Sequence, residues 1–359
     1  MTKPPSHTTF KAVRKPTPPE LFMNRGTGTD FETRLTAWSD YLTPNDRFYI
    51  RSHSPTPEID IAAWRLRIDG SGIREPVELS YDQICAMPQI TVTKALECAG
   101  NARRFFKEAF GKEAEGVQWR LGAVGIAAWT GVRLRDLLGL AGITDGARDV
   151  MPEGLDDHHG RRPIPLAKAL ADDTILAVAM NGEALPADHG YPARVIVPGW
   201  LGTASIKWVG RIQVATESLH VPWNTEEYVL AGPDYPAMGP AEGVPITEMP
   251  VMSLLELDWP ATLAAGRHTI HGRAYAGEGC VRAVVYSIDN GDWQPATLLE
   301  PNLAGAGARF AFDWNAAPGY HEIRLRASDQ RGRAQPDSVP WNDHGCCYNA
   351  VVAHPVNVH

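Results

Sequence analysis

The chain has 359 residues, 44% hydrophobic and 21% charged, a composition of globular rather than disordered proteins. Its 34 Lys and Arg against 42 Asp and Glu leave a net charge of −8. That dispersed acidity excludes the basic face of a nucleic-acid binder or an anionic-membrane binder. No apolar run approaches the roughly 18 residues of a membrane span, and the length suits about two domains.

The first residues, MTKPPSHTTFKAVRKPTPPE, contain no apolar core and no twin-arginine pair. The reading predicts no secretory signal, a cytoplasmic protein, and an extended arm over residues 1–28. Behind Asp30, the residues Phe31, Leu35, Trp38 and Leu42 have helical spacing, so a helix capped by Asp30 is expected. Trp64, Leu66 and Ile68 alternate with Arg65, Arg67 and Asp69, which predicts a half-buried strand. Leu134, Leu137 and Leu138 predict a short helix ended by Gly142, and another is expected near Leu166–Leu170. Arg194–Val197 and Ile206–Val214 read as strands. Up to about residue 240 this is an α+β pattern. After a Gly- and Pro-rich connector the texture becomes all β. Asn290-Gly291 signals a type I′ hairpin, and Phe310, Phe312 and Trp314, then Ile323, Leu325 and Ala327, alternate. An immunoglobulin-like sandwich is expected there.

The five cysteines, Cys85, Cys98, Cys280, Cys346 and Cys347, form no C-x-x-C and no C-x-x-C-H motif. A zinc ribbon and a covalently attached haem are therefore not expected, and so sparse a set fits a reducing compartment. Cys85, in a helical segment, reads as a small buried hydrophobe. Cys98 ends a strand-like run, precedes a tight Ala-Gly-Asn loop and is followed by Arg103 and Arg104. Guanidinium charge favours a thiolate, which is a nucleophile and a soft metal ligand. The local sequence leaves this role open beside that of a buried cysteine. Arg51, Arg194 and Lys207 interrupt apolar or Gly-rich stretches; singly each suits a solvated strand face, and together they suit an oxyanion or phosphate clamp. No G-x-G-x-x-G or P-loop opens a helix, which disfavours a dinucleotide or NTP site.

These stretches together resemble the sulfite oxidase family of molybdenum cofactor enzymes. The matching pieces are Tyr49-Ile-Arg-Ser-His53, Leu96-Glu-Cys-Ala-Gly-Asn101, Glu153-Gly-Leu-Asp156, Met180-Asn-Gly182, Asp188-His-Gly-Tyr-Pro192, Val197-Pro-Gly-Trp-Leu-Gly202 and Ser205-Ile-Lys-Trp-Val-Gly-Arg211, in the family's order. The resemblance implies a mixed α/β molybdopterin-binding catalytic domain over 29–240 and an immunoglobulin-like dimerisation domain over 245–359, hence a homodimer. It implies a molybdenum–molybdopterin cofactor with Cys98 as the protein's sulfur ligand. Arg51, Arg103, Trp119, Tyr228 and His344 match positions of the oxyanion pocket. Tyr49, Ile50, Arg51, Ser52, His53, Asp156, His189, Arg194, Ser205, Ile206 and Lys207 match positions that hold the pterin and its phosphate. The implied reaction is oxidation of sulfite to sulfate. No haem domain is expected, so the electrons would pass to an external acceptor, a cytochrome, another protein or oxygen. The chain departs from the pattern at Ala102, where the family carries arginine, and at Ser52, where animal members carry asparagine. His344 stands where animal members carry arginine, which would make the pocket's charge pH-dependent. The alternatives are an oxyanion or sulfoxide oxidoreductase, like nitrate reductase, on the same scaffold, and a non-enzymatic β-sandwich binding module. Tyr228 favours sulfite over nitrate.

Overall fold

A computed structural model describes residues 12–38 and 40–359. The chain is mostly β. Its α-helices among the described residues are short, and the longest, Leu134–Ala141, has eight residues. The α content is thus smaller than the α+β expectation, because most apolar runs pair as strands.

Two five-stranded sheets frame the region before residue 250. One runs in the order Glu183–Ala184, Ile175–Met180, Val124–Arg133 and Ile90–Glu97, with Arg194–Ile196 also pairing to Ile175–Met180. The other runs Val77–Ser80, Arg65–Asp69, Val209–Ala215, Asp149–Gly154 and Ile164–Pro165. Leu66, Ile68, Val132, Leu137, Val195 and Ile212 join one core drawn from both. Leu134–Ala141 ends, as its spacing predicts, at Gly142, whose φ of 68° is left-handed and free of the Cβ penalty in glycine.

Beyond residue 250 two further sheets share a second core. One is Met252–Leu255, Gly266–Tyr275, Gly307–Ala316 and Thr297–Leu303; the other is Ala261–Leu263, Ala353–Val358, Gly319–Asp329, Val281–Ile288 and Gln294–Pro295. Ile270, Phe310 and Phe312 from the first meet Val284, Ile323 and Val356 from the second. The period-2 alternation of these strands puts one side chain set inward, which is why they read clearly in the sequence.

Several expectations are corrected. Among the described residues no α-helix forms behind Asp30: Asp30–Thr33 is a fully buried strand between Phe22–Asn24 and Ile50–Arg51, followed only by the 3-10 turn Leu35–Ala37. The Asp30 carboxylate accepts from Arg51 (3.2 Å) and Thr27 (2.5 Å) rather than capping a helix. The hairpin turn is shifted one residue, with positive φ at Asp289 and Asn290 and Gly291 N–H donating to Ile288 O at 2.9 Å. The strand expected from Ile206 starts at Val209, because Trp208 is left-handed at φ 53°. Cys85 is exposed, not buried. Of the expected arm, residues 1–11 lie outside the described residues. Residues 12–28 are packed: Val13 and Phe22 are buried with Phe31 and Ile50. Among the described residues no helix is long and apolar enough to cross a membrane.

Candidate functional site

The strand Ile90–Glu97 delivers Cys98 to the floor of a cleft. It pairs along its length with Val124–Arg133, and Cys98 N–H closes the ladder onto Ala123 O at 2.9 Å. The chain then turns, with Asn101 N–H donating to Cys98 O at 2.9 Å. The Asn101 side chain pins this loop: Nδ2 donates to Glu97 Oε1 (3.0 Å) and Oδ1 accepts from Ala123 N–H (3.1 Å). Buried polar atoms need such partners, and here they fix where the sulfur points.

The cleft has a volume of about 750 Å3, its open mouth included. Tyr49, Arg51, Ser52, His53, Cys98, Asp156, His189, Arg194, Ser205, Ile206, Lys207 and Tyr228 line it. Residues more than 170 positions apart are thereby brought together. Arg51 is aimed by three contacts: to Asp30 Oδ1 (3.2 Å), to Ser52 O (2.8 Å) and to His53 Nε2 (2.9 Å). Lys207 Nζ donates to Ser52 Oγ (2.6 Å) and Asp188 O (3.0 Å). Arg194 donates to His189 O and Ser205 O, both at 2.9 Å, beneath the Trp129 ring.

Four expected site residues do not line the cleft. Ile50 is fully buried among Val13, Phe22 and Phe31, because alternation along its strand turns it away from Arg51. Trp119 is fully buried in the core with Phe48, Tyr49 and Trp129, and its Nε1 lacks a partner. Arg103 lies behind the wall, where it donates to His344 O (2.9 Å), Val117 O (3.0 Å) and Cys346 Sγ (3.7 Å). Its room comes from glycines: a Cβ at Gly100 or Gly116 would stand 2.6 or 2.7 Å from its guanidinium. His344 meets Arg103 through its carbonyl, not its ring.

Other residues were missed. Asp188 opens the Asp188–Pro192 motif, and its carboxylate accepts from the backbone of Arg14 (2.9 Å) and Lys15 (2.7 Å) and from Thr56 Oγ1 (2.6 Å). Lys15 carried no signal at all in the Pro-rich arm. Its Nζ reaches Phe48 O (2.6 Å) and His189 Nε2 (2.9 Å). Trp223 and Trp208 also line the cleft.

The electrostatics are those of a site short of anions. Burial pushes Lys207 and Lys15 each down to about 7 and Arg194 to about 10. Burial, then Arg51, His158 and Lys207, push His53 down to about 2, so its ring is neutral. Burial with Lys15, Lys207 and Arg194 likewise keeps His189 neutral. Burial also raises the Cys98 thiol, against the pull of Arg51 and Arg103. Desolvation thus outweighs the guanidinium charge that favours a thiolate; a soft cation at the sulfur would supply the missing charge. Arg194 Nε and Trp119 Nε1 are buried without partners. The lining carboxylates are already engaged, Asp188 as above and Asp156 with Ser54 and Gly160 N–H. A soft sulfur facing unspent buried cations fits a group that is both metallic and polyanionic.

A family model described as "Oxidoreductase molybdopterin binding domain" matches residues 53–223. The chain is 36% identical over 334 residues to mitochondrial sulfite oxidase of Macaca fascicularis, covering 87% of this chain and 61% of that protein. It is 36% identical over 327 residues to sulfite oxidase of Gallus gallus, covering 85% and 71%. Similarity to NADH nitrate reductase of Volvox carteri is 31% over 355 residues, covering 88% and 40%. The chain thus spans about three fifths of the length of the macaque relative. Among solved structures, the sulfane dehydrogenase SoxCD of Paracoccus pantotrophus superposes with a TM-score of 0.83 at 26% identity, covering 97% of this chain and 90% of that one.

Proposed function

The chain belongs to the sulfite oxidase family, and from that premise we propose that it oxidises sulfite to sulfate with a molybdenum–molybdopterin cofactor and hands the electrons to an external acceptor. The observation that carries this reading is the Cys98 sulfur sharing one cleft with Arg51, Tyr228 and the buried cations Arg194 and Lys207. Cys98 would hold the metal. Arg194, Lys207, His189, Ser205 and Asp156 would hold the pterin and its phosphate, with Lys15 in support behind His189.

When bound, the cofactor supplies two-electron redox chemistry and oxygen-atom delivery. The chain supplies binding, orientation and protons. Sulfite is a small anion whose entry into a dry site is costly unless cations receive it. Arg51 receives it with a guanidinium already held in place, so little side-chain freedom is lost on binding. Arg103 adds positive potential from behind the wall, where it already bears on Cys98. Tyr228 keeps its proton, since burial raises its pKa against the pull of Arg51, and it is therefore a hydrogen-bond donor to the anion.

The same reading takes the two-sheet region beyond residue 245 as an immunoglobulin-like dimerisation domain, residues 29–240 as the catalytic domain, and the protein as a cytoplasmic homodimer. Metal analysis with a steady-state assay tests the function. About one molybdenum per chain is expected, with turnover of sulfite exceeding that of nitrate and of sulfoxides. Protein free of molybdenum after cofactor-replete expression, or a preference for nitrate, would overturn it. Sedimentation tests the dimer.

A further inference from the structure

Arg162 is a buried cation that neither the sequence motifs nor the cleft lining includes. Its side chain is 2% exposed. One terminal nitrogen donates to Trp223 O and the other to Ile246 O, the latter at 2.5 Å. Burial lowers its pKa to about 10, so it is charged at neutral pH, and the groups acting on that charge are Tyr228, Cys346 and Cys347, with no carboxylate among them. A buried charge without a counter-ion is costly.

Its two acceptors are informative. Trp223 lies in the short helix Pro222–Thr225, and its ring packs edge-on against Tyr228 (5.4 Å) and tilts over His53 (4.9 Å). Ile246 follows the strand Val244–Pro245, which pairs with Val229–Leu230 directly after Tyr228, and Ile246 N–H donates to Tyr228 O at 3.1 Å. One guanidinium therefore ties together the two segments that flank Tyr228. The Cys346 thiol, which shares a core with Tyr228, feels both Arg103 and Arg162. Arg162 thus braces the segments on both sides of Tyr228, and its charge bears on the tyrosine and on Cys346.

We propose that Arg162 is a positioning residue for anion binding, clamping the two segments that flank Tyr228 and adding a buried positive charge that no carboxylate offsets. This rests on the anion-binding reading of the cleft. The charge favours any small dianion at Tyr228, and the clamp holds the hydroxyl where that anion meets it.

The test uses the cofactor-loaded full chain, with sulfate as a non-reacting probe. Sulfate affinity is measured by calorimetry, sulfite KM and kcat by steady-state kinetics, and molybdenum by elemental analysis. Arg162→Gln retains one donor and removes the charge. It should weaken sulfate by about tenfold and raise the sulfite KM in step, with kcat within about threefold and molybdenum content unchanged. Arg162→Lys, which restores the charge, should recover both to within about threefold of the wild type. Unchanged sulfate affinity in Arg162→Gln overturns the proposal. So does equal damage in both variants accompanied by loss of molybdenum, which marks a merely structural residue. Should Arg162→Gln not fold, Arg162→Met takes its place in the same titration. A wild type that binds sulfate but leaves sulfite unoxidised defeats the proposed function, while the sulfate measurements still decide the role of Arg162.

Discussion

The hydroxyl of Tyr228 lies 2.8 Å from Nε2 of His53, the same nitrogen that Arg51 approaches at 2.9 Å. A guanidinium can only donate, so Arg51 makes this nitrogen the acceptor and leaves the ring proton on Nδ1. One lone pair then serves two donors. The tyrosine proton can turn toward an incoming anion without stranding His53, because Arg51 still satisfies the nitrogen. Tyr228→Phe should lower kcat on the order of 100-fold, the low end for a lost proton or oxyanion donor. Molybdenum content should hold, since Tyr228 contributes no ligand. Elemental analysis beside steady-state kinetics checks both, and wild-type kinetics would make the hydroxyl a structural group.

Cys98→Ser separates the fold from the chemistry. The strand and loop carrying Cys98 are held by backbone pairing and by Asn101, neither of which uses the sulfur. Circular dichroism and melting temperature should stay near wild type while turnover is lost. A serine variant that still oxidises sulfite at the normal rate removes the ligand assignment.

Arg51 and Arg103 should fail in different ways. Arg51 lines the cleft, so Arg51→Gln should raise the sulfite KM strongly, by tenfold or more, and it costs some stability as well, since the buried Asp30 carboxylate loses its guanidinium. Arg103 binds carbonyls in three places behind the wall, so Arg103→Gln leaves buried acceptors unpaired at about 1–3 kcal/mol each. Its melting temperature should fall along with its affinity for sulfite. A wild-type melting temperature for Arg103→Gln would show that the Arg103 contacts are dispensable.

Lys15 and Lys207 give the cofactor-free protein a pH signature. Each falls to about 7 when folded, from an ordinary value of 10.5. Between these values the unfolded chain binds more protons than the folded one, so stability rises with pH from about 7 toward 10.5. The limit is about 1.4 kcal/mol per pH unit per lysine. Below pH 7 both lysines are charged in either state and the burial penalty is fully present. Facing charges are Asp188 and Asp46 for Lys15, and Asp188, Asp156, Arg194 and Arg51 for Lys207. Urea unfolding at pH 7 and 9 should show the gain in wild type and lose most of it in the Lys15→Met, Lys207→Met double variant. A bound phosphate should stabilise the cofactor-free protein more at pH 6.5 than at pH 9, because it favours the charged lysines. A double variant with the wild-type slope would assign the gain to other groups.

What could be read without coordinates was local or motif-borne. The helix Leu134–Ala141 announces itself through leucine spacing and Gly142, and the strands Gly307–Ala316 and Gly319–Asp329 through alternation. The ordered motifs held the thiol, Arg51 and Lys207, and the family resemblance added Arg194 and Tyr228. Pairing partners overrode local preference at Asp30, where two neighbouring strands turned a helix-like pattern into sheet. Burial overrode local charge at Cys98, where desolvation outweighs the adjacent arginines.

The amino-acid sequence by itself determined which residues can ligate, donate or carry charge, because side-chain chemistry and short-range periodicity are written residue by residue. Only the tertiary structure decided that Lys15 reaches His189, that Arg103 turns away behind glycines, and that Arg162 braces the segments flanking Tyr228. Those facts depend on desolvation and on contacts between positions 61 to 241 residues apart, such as Arg162 with Trp223 and Arg103 with His344, which no local pattern encodes.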